Sequence, residues 1–151
     1  MAGNIALGNC LTVLAGVATF VLGQAILKFV FQPMSEQRTV IGEVLDSVVF
    51  YANLYANPGI VSRTKMDEAH DALRRSSSKL RARTHAIPWY RLWELLRLVP
   101  KRKNLTEVSK ELITLSWGVY PPSGSQHLGV KGVLNTEARD RIYKLLGVKI
   151  E

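Results

Sequence analysis

The residues able to carry chemistry gather in two places. His70 stands three residues after Asp67 and two after Glu68, with Asp71 next to it. On a helix Asp67, Glu68 and His70 could form half of a metal site, but a complete site needs further ligands. The other histidines, His85 and His127, fall at no metal-ligating spacing. The acids are explained more simply as the negative first turns of a helix whose later turns are basic. There is no Gly-rich phosphate loop, no Ser-His-Asp or Cys-His arrangement and no carboxylate pair in an apolar setting. The sequence therefore points to a protein that binds, not an enzyme, and calls for no cofactor and no metal.

The second place is Arg74 to Lys103, where Arg74, Arg75, Lys79, Arg81, Arg83, Arg91, Arg97, Lys101, Arg102 and Lys103 face Glu94 alone, a net +9 against +8 for the whole chain. Two subsets differ in their neighbours. Arg74, Arg75, Lys79, Arg81 and Arg83 read as the basic face of one helix. Arg91, Arg97, Lys101, Arg102 and Lys103 are interleaved with Trp89, Tyr90 and Trp93, a composition of segments that lie at membrane interfaces or dock on a protein. Beside an anionic leaflet, each basic residue contributes about 1 kcal/mol of attraction to headgroup phosphates. The competing readings are an acidic protein partner, nucleic acid, which is disfavoured, and a merely solvated face.

These groups are positioned by an uncharged N-terminal stretch, Ile5 to Leu27; the first charged side chain of the chain is Lys28. At about 1.5 Å per residue it spans roughly 34 Å, enough for a hydrocarbon core of about 30 Å. A cleaved signal peptide would need a basic n-region, a shorter apolar core and a small-residue cleavage site, and the chain supplies none of them. A buried core helix would need a larger domain to enclose it. The expectation is a single-pass transmembrane anchor over 1–31 and a cytoplasmic helical domain over 32–151. Within the span, Gly8, Thr12 and Gly16, and beside them Ala15, Thr19 and Gly23, make rows of small residues on which helices associate, as a homo-oligomer or with another membrane protein. The single cysteine, Cys10, lies in the span and excludes an intrachain disulfide.

Downstream, apolar residues recur at three- and four-residue spacing. Val40, Ile41, Val44, Leu45, Val48, Val49, Ala52 and Tyr55 predict an amphipathic helix ended by Asn57-Pro58-Gly59, with Pro33 either kinking a continuing helix or starting a new one. Thr64 to His85 predicts a helix with the thin stripe Met66, Ala69, Leu73, Ser77 and Leu80. Trp89 to Val99 predicts a short helix with Trp89, Leu92, Trp93, Leu96 and Val99 on one face. Asn104 and Glu107 read as a capping box, and a last helix is expected from Asn135 or Thr136 after a loop from Pro121 to Gly132. The fold class is all-α: one N-terminal transmembrane helix followed by a small bundle of about five helices.

The succession of an uncharged N-terminal span, a helix ending Tyr51-Ala-Asn-Leu-Tyr-Ala-Asn-Pro, then Leu80-Arg-Ala-Arg and Ala86-Ile-Pro resembles uncharacterised bacterial single-pass membrane proteins, and implies no catalytic residues. His70-Asp71 resembles the HD pair of metal-dependent phosphohydrolases, but the other motifs of that group are absent. The expectation is a binding or scaffolding protein of the inner membrane, its partner the lipid bilayer with anionic headgroups; the alternative is a regulatory or effector subunit of a membrane-associated defence or toxin-type assembly. Lys28 and Arg38 against an uncharged N-terminal flank place the N-terminus outside and the C-terminal domain in the cytoplasm. A C-terminal alkaline phosphatase fusion should therefore be inactive, and periplasmic activity would refute this orientation.

Overall fold

The structure, a computed structural model, describes residues 2–121 and 128–148, with side chains over 11–121 and 129–148. His127 lies outside these residues, as do the side chain of Cys10 and the surroundings of Gly8. All regular structure among the described residues is helical: α1 (Ala2–Ile26), a π-helical turn (Leu27–Phe31), α2 (Gln32–Phe50), α3 (Ala52–Ala56), α4 (Arg63–Ala86), α5 (Tyr90–Leu95), α6 (Arg102–Gly118) and α7 (Leu128–Leu146). From α1 through α2 the helix is unbroken. Pro33 lacks an N–H, and in a regular α-ladder its ring would press on the Phe29 carbonyl. The wider turn just before it, in which the Gln32 N–H bonds the Leu27 carbonyl, lets the helix run on. Of the two roles the sequence allows Pro33, it takes the continuing one.

Burial changes abruptly along this rod. Leu11, Leu14, Val17, Phe20, Leu22 and Ile26 are exposed on every side, and one helix is long and apolar enough to cross a membrane. The core begins at Val30, 8% exposed between exposed Phe29 and Phe31, and continues through Met34, Gln37, Val40, Val44 and Val48. That spacing turns one stripe inward.

α4 packs between α2 and α6, and α6 between α4 and α7; α3 folds the end of the rod onto α7. The pairs Gln37–Thr84, Glu43–Lys79 and Ser47–Ser76 make α2 and α4 antiparallel, since each rise along one is a fall along the other, and Glu36–Arg83 joins them beside the first pair. Ser77–Ser109 and His70–Ser116 do the same for α4 and α6, and Asn104–Leu145 and Glu111–Arg141 for α6 and α7. The result is an up-down-up-down bundle. Leu73, Leu80, Leu105, Val108, Leu112 and Leu115 fill its centre. Small hydroxyls let the helices approach: Ser76 and Ser47 Oγ lie 3.2 Å apart, and Ser77 Oγ donates to the Ser109 carbonyl at 2.8 Å.

Three expectations are corrected. α6 begins at Arg102, so Asn104 lies inside its first turn and ties it to the Leu145 carbonyl at 3.2 Å. The orphan N–H of Arg102 is satisfied from another element, by the Glu94 carboxylate at 3.2 Å. α7 starts near Leu128, seven residues before the expected Asn135, and so takes in Gly132, which packs against α3: a Cβ there would lie 2.5 Å from the Ala56 carbonyl oxygen. The segment after Pro88 is helical only over Tyr90–Leu95.

Asn135 is buried in the middle of α7, its Nδ2 donating to the carbonyls of Tyr55 at 2.6 Å and Gly118 at 3.0 Å. It thus fastens α3 and the end of α6 to α7. Asn135→Ala leaves both carbonyls without this donor and should lower the unfolding free energy of the detergent-solubilised chain by about 2–4 kcal/mol. Chemical denaturation measures this, and a loss below about 0.5 kcal/mol would refute the fastening role.

Candidate functional site

The connection from α4 to α6, residues 87–101, exposes the large apolar side chains of Trp89, Leu92, Leu95, Leu96 and Leu98. Its backbone is held by local bonds. Trp89 adopts a left-handed conformation (φ 49°) and its carbonyl accepts the Leu92 N–H at 2.8 Å. Leu98 N–H bonds the Trp93 carbonyl and Arg97 N–H bonds the Glu94 carbonyl, a Schellman ending of α5 with Arg97 left-handed (φ 57°) where glycine is usual. Left-handed geometry costs roughly 1–2 kcal/mol at each non-glycine residue, so surrounding contacts must hold Trp89 and Arg97.

Those contacts come from α2 and the end of α4. Tyr90 is buried and its hydroxyl donates to the Pro100 carbonyl at 2.6 Å; the Thr84 hydroxyl donates to the Leu80 carbonyl at 2.7 Å. Both oxygens keep lone pairs, and both accept from Gln37 Nε2, at 3.3 and 3.1 Å. Gln37 Oε1 is buried with no hydrogen-bond partner among the described residues, which makes this a polar lock held at a cost. Arg38 reaches the Leu98 carbonyl at 3.1 Å, and Trp93 Nε1 donates to the Pro88 carbonyl at 3.0 Å. Ile87 and Val99 are buried and Trp93 is packed against the core.

The expected single face therefore divides. Trp93 and Val99 belong to the core, whereas Trp89 (75% exposed), Leu92, Leu95 (79%), Leu96 and Leu98 project outward. They are accompanied by exposed Arg91, Arg97, Lys101 and Lys103, none of which has an ion-pair partner among the described residues, while Arg102 bonds His85 Nδ1 at 2.9 Å. Trp89, Tyr90, Arg91, Leu92 and Arg102 line an open cleft of about 490 Å³. The site is stapled to Gln37 and Arg38, about 15 Å of helix beyond Lys28. It thus flanks the point where the bare apolar rod enters the bundle.

The basic face of α4 divides as well. Lys79 pairs with Glu43 at 3.1 Å and Arg83 with Glu36 at 2.6 Å. Arg74, Arg75 and Arg81 have no ion pair among the described residues and, with Ser77, Ser78 and Ile113, line a second cleft of about 360 Å³ between α4 and α6. Of the acids around His70, Asp67 is occupied: it accepts from the Tyr120 hydroxyl at 2.7 Å and pairs with Arg63 at 3.6 Å. His70 Nδ1 lies 2.9 Å from the Ser116 carbonyl oxygen, with its ring against Trp117 and Tyr120. Among the described residues no group of three His, Cys, Asp or Glu could hold a metal. In α1, a Cβ at Gly16 or Gly23 would meet nothing within 4 Å, and Thr19 Oγ1 bonds the Ala15 carbonyl at 2.9 Å.

Sequence reasoning passed over Gln37 and Glu94. The signal for Gln37 is a polar residue in the core register of α2, three after Met34 and three before Val40; Glu94 carries no local signal because its partner lies on α6. No family model, curated protein or solved structure matches the chain.

Burial raises the Tyr90 hydroxyl above its usual range, opposed by the Gln37 hydrogen bond. A raised folded value means stability fully present below the unfolded pKa of about 10 and lost as pH climbs past it. Tyr90→Phe should cost about 1–2 kcal/mol at neutral pH, where Pro100 loses its donor, yet lose less stability than the parent on raising the pH from roughly 9 to 11. Parallel denaturation curves at the two pH values decide it; an equal alkaline loss in both proteins would show that Tyr90 does not titrate with unfolding.

Proposed function

We propose that the chain is a single-pass membrane protein of the binding or scaffolding type, in which α1 spans the bilayer and the surface of α5 rests in the headgroup layer on the cytoplasmic side. The observation that carries this reading is the attachment of α5 to Gln37 through Tyr90, and of the turn after it to Arg38 through Leu98, beside the end of the bare apolar rod. Trp89, Leu92, Leu95, Leu96 and Leu98 form an apolar patch that water penalises, and Arg91, Arg97, Lys101 and Lys103 surround it with unpaired charge. An aromatic–aliphatic face rimmed by Lys and Arg is the chemistry of the interface between acyl chains and anionic headgroups. Each basic residue near that surface contributes about 1 kcal/mol.

Anchoring by α1 makes even weak insertion of α5 populated, because the second contact is intramolecular. Two attachments, one through the rod and one beside it, fix the tilt of the bundle over the surface and present α4, α6 and α7 to other partners. The open backbone at Gly16 and Gly23 favours a second reading in which spans associate and the domain regulates that assembly.

Fluorescence tests the α5 contact. In full-length chain carrying Trp93→Phe and Trp117→Phe, the remaining Trp89 should be quenched by brominated lipids in nanodiscs of anionic composition. In chain carrying Trp89→Phe and Trp93→Phe, the remaining Trp117 should not be. Trp89 fluorescence indifferent to brominated lipid would refute the interfacial role of α5.

A further inference from the structure

The antiparallel ladder between α2 and α4 measures how far each basic residue lies from the end of the apolar rod. Gln37, which meets Thr84 and Tyr90, is about 14 Å of helix past Lys28; Ser47, which meets Ser76, is about 28 Å past it. Arg74 and Arg75 precede Ser76 on α4 and lie farther still. At physiological ionic strength the screening length is about 8 Å, so the field of a bilayer whose surface is near Lys28 does not reach them. The basic window that is continuous in sequence thus becomes two separate groups, one beside the rod's end and one at the far end of the bundle.

Arg74 and Arg75 at that far end, with Arg81 about 10 Å of helix nearer the rod and still beyond the Gln37–Thr84 contact, have the makings of a small site. Arg74, Ser78 and Arg81 are spaced i, i+4, i+7 along α4 and share one face. With Arg75, Ser77 and Ile113 they line the cleft of about 360 Å³ against α6. Among the described residues no carboxylate lines it. The opposite flank of the same helix received two: Glu43 for Lys79 and Glu36 for Arg83. Three guanidinium groups around one concavity without an acid repel one another, and an anion in the cleft removes that repulsion. A guanidinium offers a planar fork of donors matched to phosphate oxygens, and the Ser78 hydroxyl adds another donor. The volume is that of a small-molecule pocket.

We propose that the α4–α6 cleft binds a soluble phosphate-bearing small molecule, held by Arg74, Arg75 and Arg81. The cleft's chemistry is independent of the membrane reading above, and only its exclusion of lipid headgroups rests on that reading.

The test uses the full chain in uncharged phosphatidylcholine nanodiscs, titrated calorimetrically with inorganic pyrophosphate at low salt. Saturable binding is expected, weakened about tenfold or more by each of Arg74→Ala, Arg75→Ala and Arg81→Ala. Arg81→Lys should retain part of it, and Arg91→Ala and Lys103→Ala should leave it unchanged. The three arginines are exposed, so circular dichroism spectra should match the parent. Dissociation constants beyond about 10 mM, or equal binding by the parent and the arginine variants, would overturn the proposal. So would loss, in the Arg74 and Arg75 variants, of a binding preference for phosphatidylglycerol nanodiscs with pyrophosphate binding intact, for the cleft would then be serving lipid. Failure of Trp89 quenching bears on α5 alone and leaves this outcome readable.

Discussion

The continuity of one helix from Ala2 to Phe50 is the constraint on which the rest of the structure depends. A hinge at Pro33 would leave the bundle free to take any attitude to the apolar segment. The π-helical turn removes that freedom: it shifts the Gln32 hydrogen bond to Leu27, clears the space that the proline ring needs, and hands an unbroken helix to the bundle. Because Val30 and Met34 already belong to the core, the bundle grips the rod at its point of entry. The positions of α4, of α5 through Gln37, and of both clefts follow from that grip.

Polar groups do the positioning that apolar packing leaves undetermined. The stripe of α2 against Leu73 and Leu80 would tolerate small axial shifts, whereas Gln37 tolerates few. Its amide must meet the Thr84 and Tyr90 hydroxyls whose own protons are committed to carbonyls. Asn135 serves the same end at the other pole of the bundle, joining Tyr55 and Gly118. Glu94 reaches from α5 to start α6, so the short helix and the long one that follows are ordered together. Such buried or bridging polar contacts add little net energy and penalise alternative arrangements heavily.

What the sequence made legible was local. The uncharged run before Lys28, the three-four spacing of Val40, Val44 and Val48, and the stop at Pro58 are periodicities and punctuation, and they were enough for an all-helical chain with one long apolar helix. What escaped was non-local. Gly132 looked like a loop residue because its reason for being glycine, the Ala56 carbonyl, is far away in the chain. Asn104 and Glu107 matched a capping box, while the N–H that opens α6, that of Arg102, is met by Glu94, eight residues before Arg102. The basic face of α4 looked like one patch because the acids that divide it, Glu36 and Glu43, belong to a different helix.

The π-helical turn also carries information about angle. In a regular helix each residue advances the face by about 100°, and the widened turn between Leu27 and Phe31 offsets that count once. The compass bearing of the Gly16–Gly23 row relative to the Gln37 lock is therefore set by this single irregularity. Were α1 twisted about its own axis, the unbroken helix would carry that twist into the bundle. The rod is in this sense a drive shaft, and the π turn is the keyway that fixes its phase.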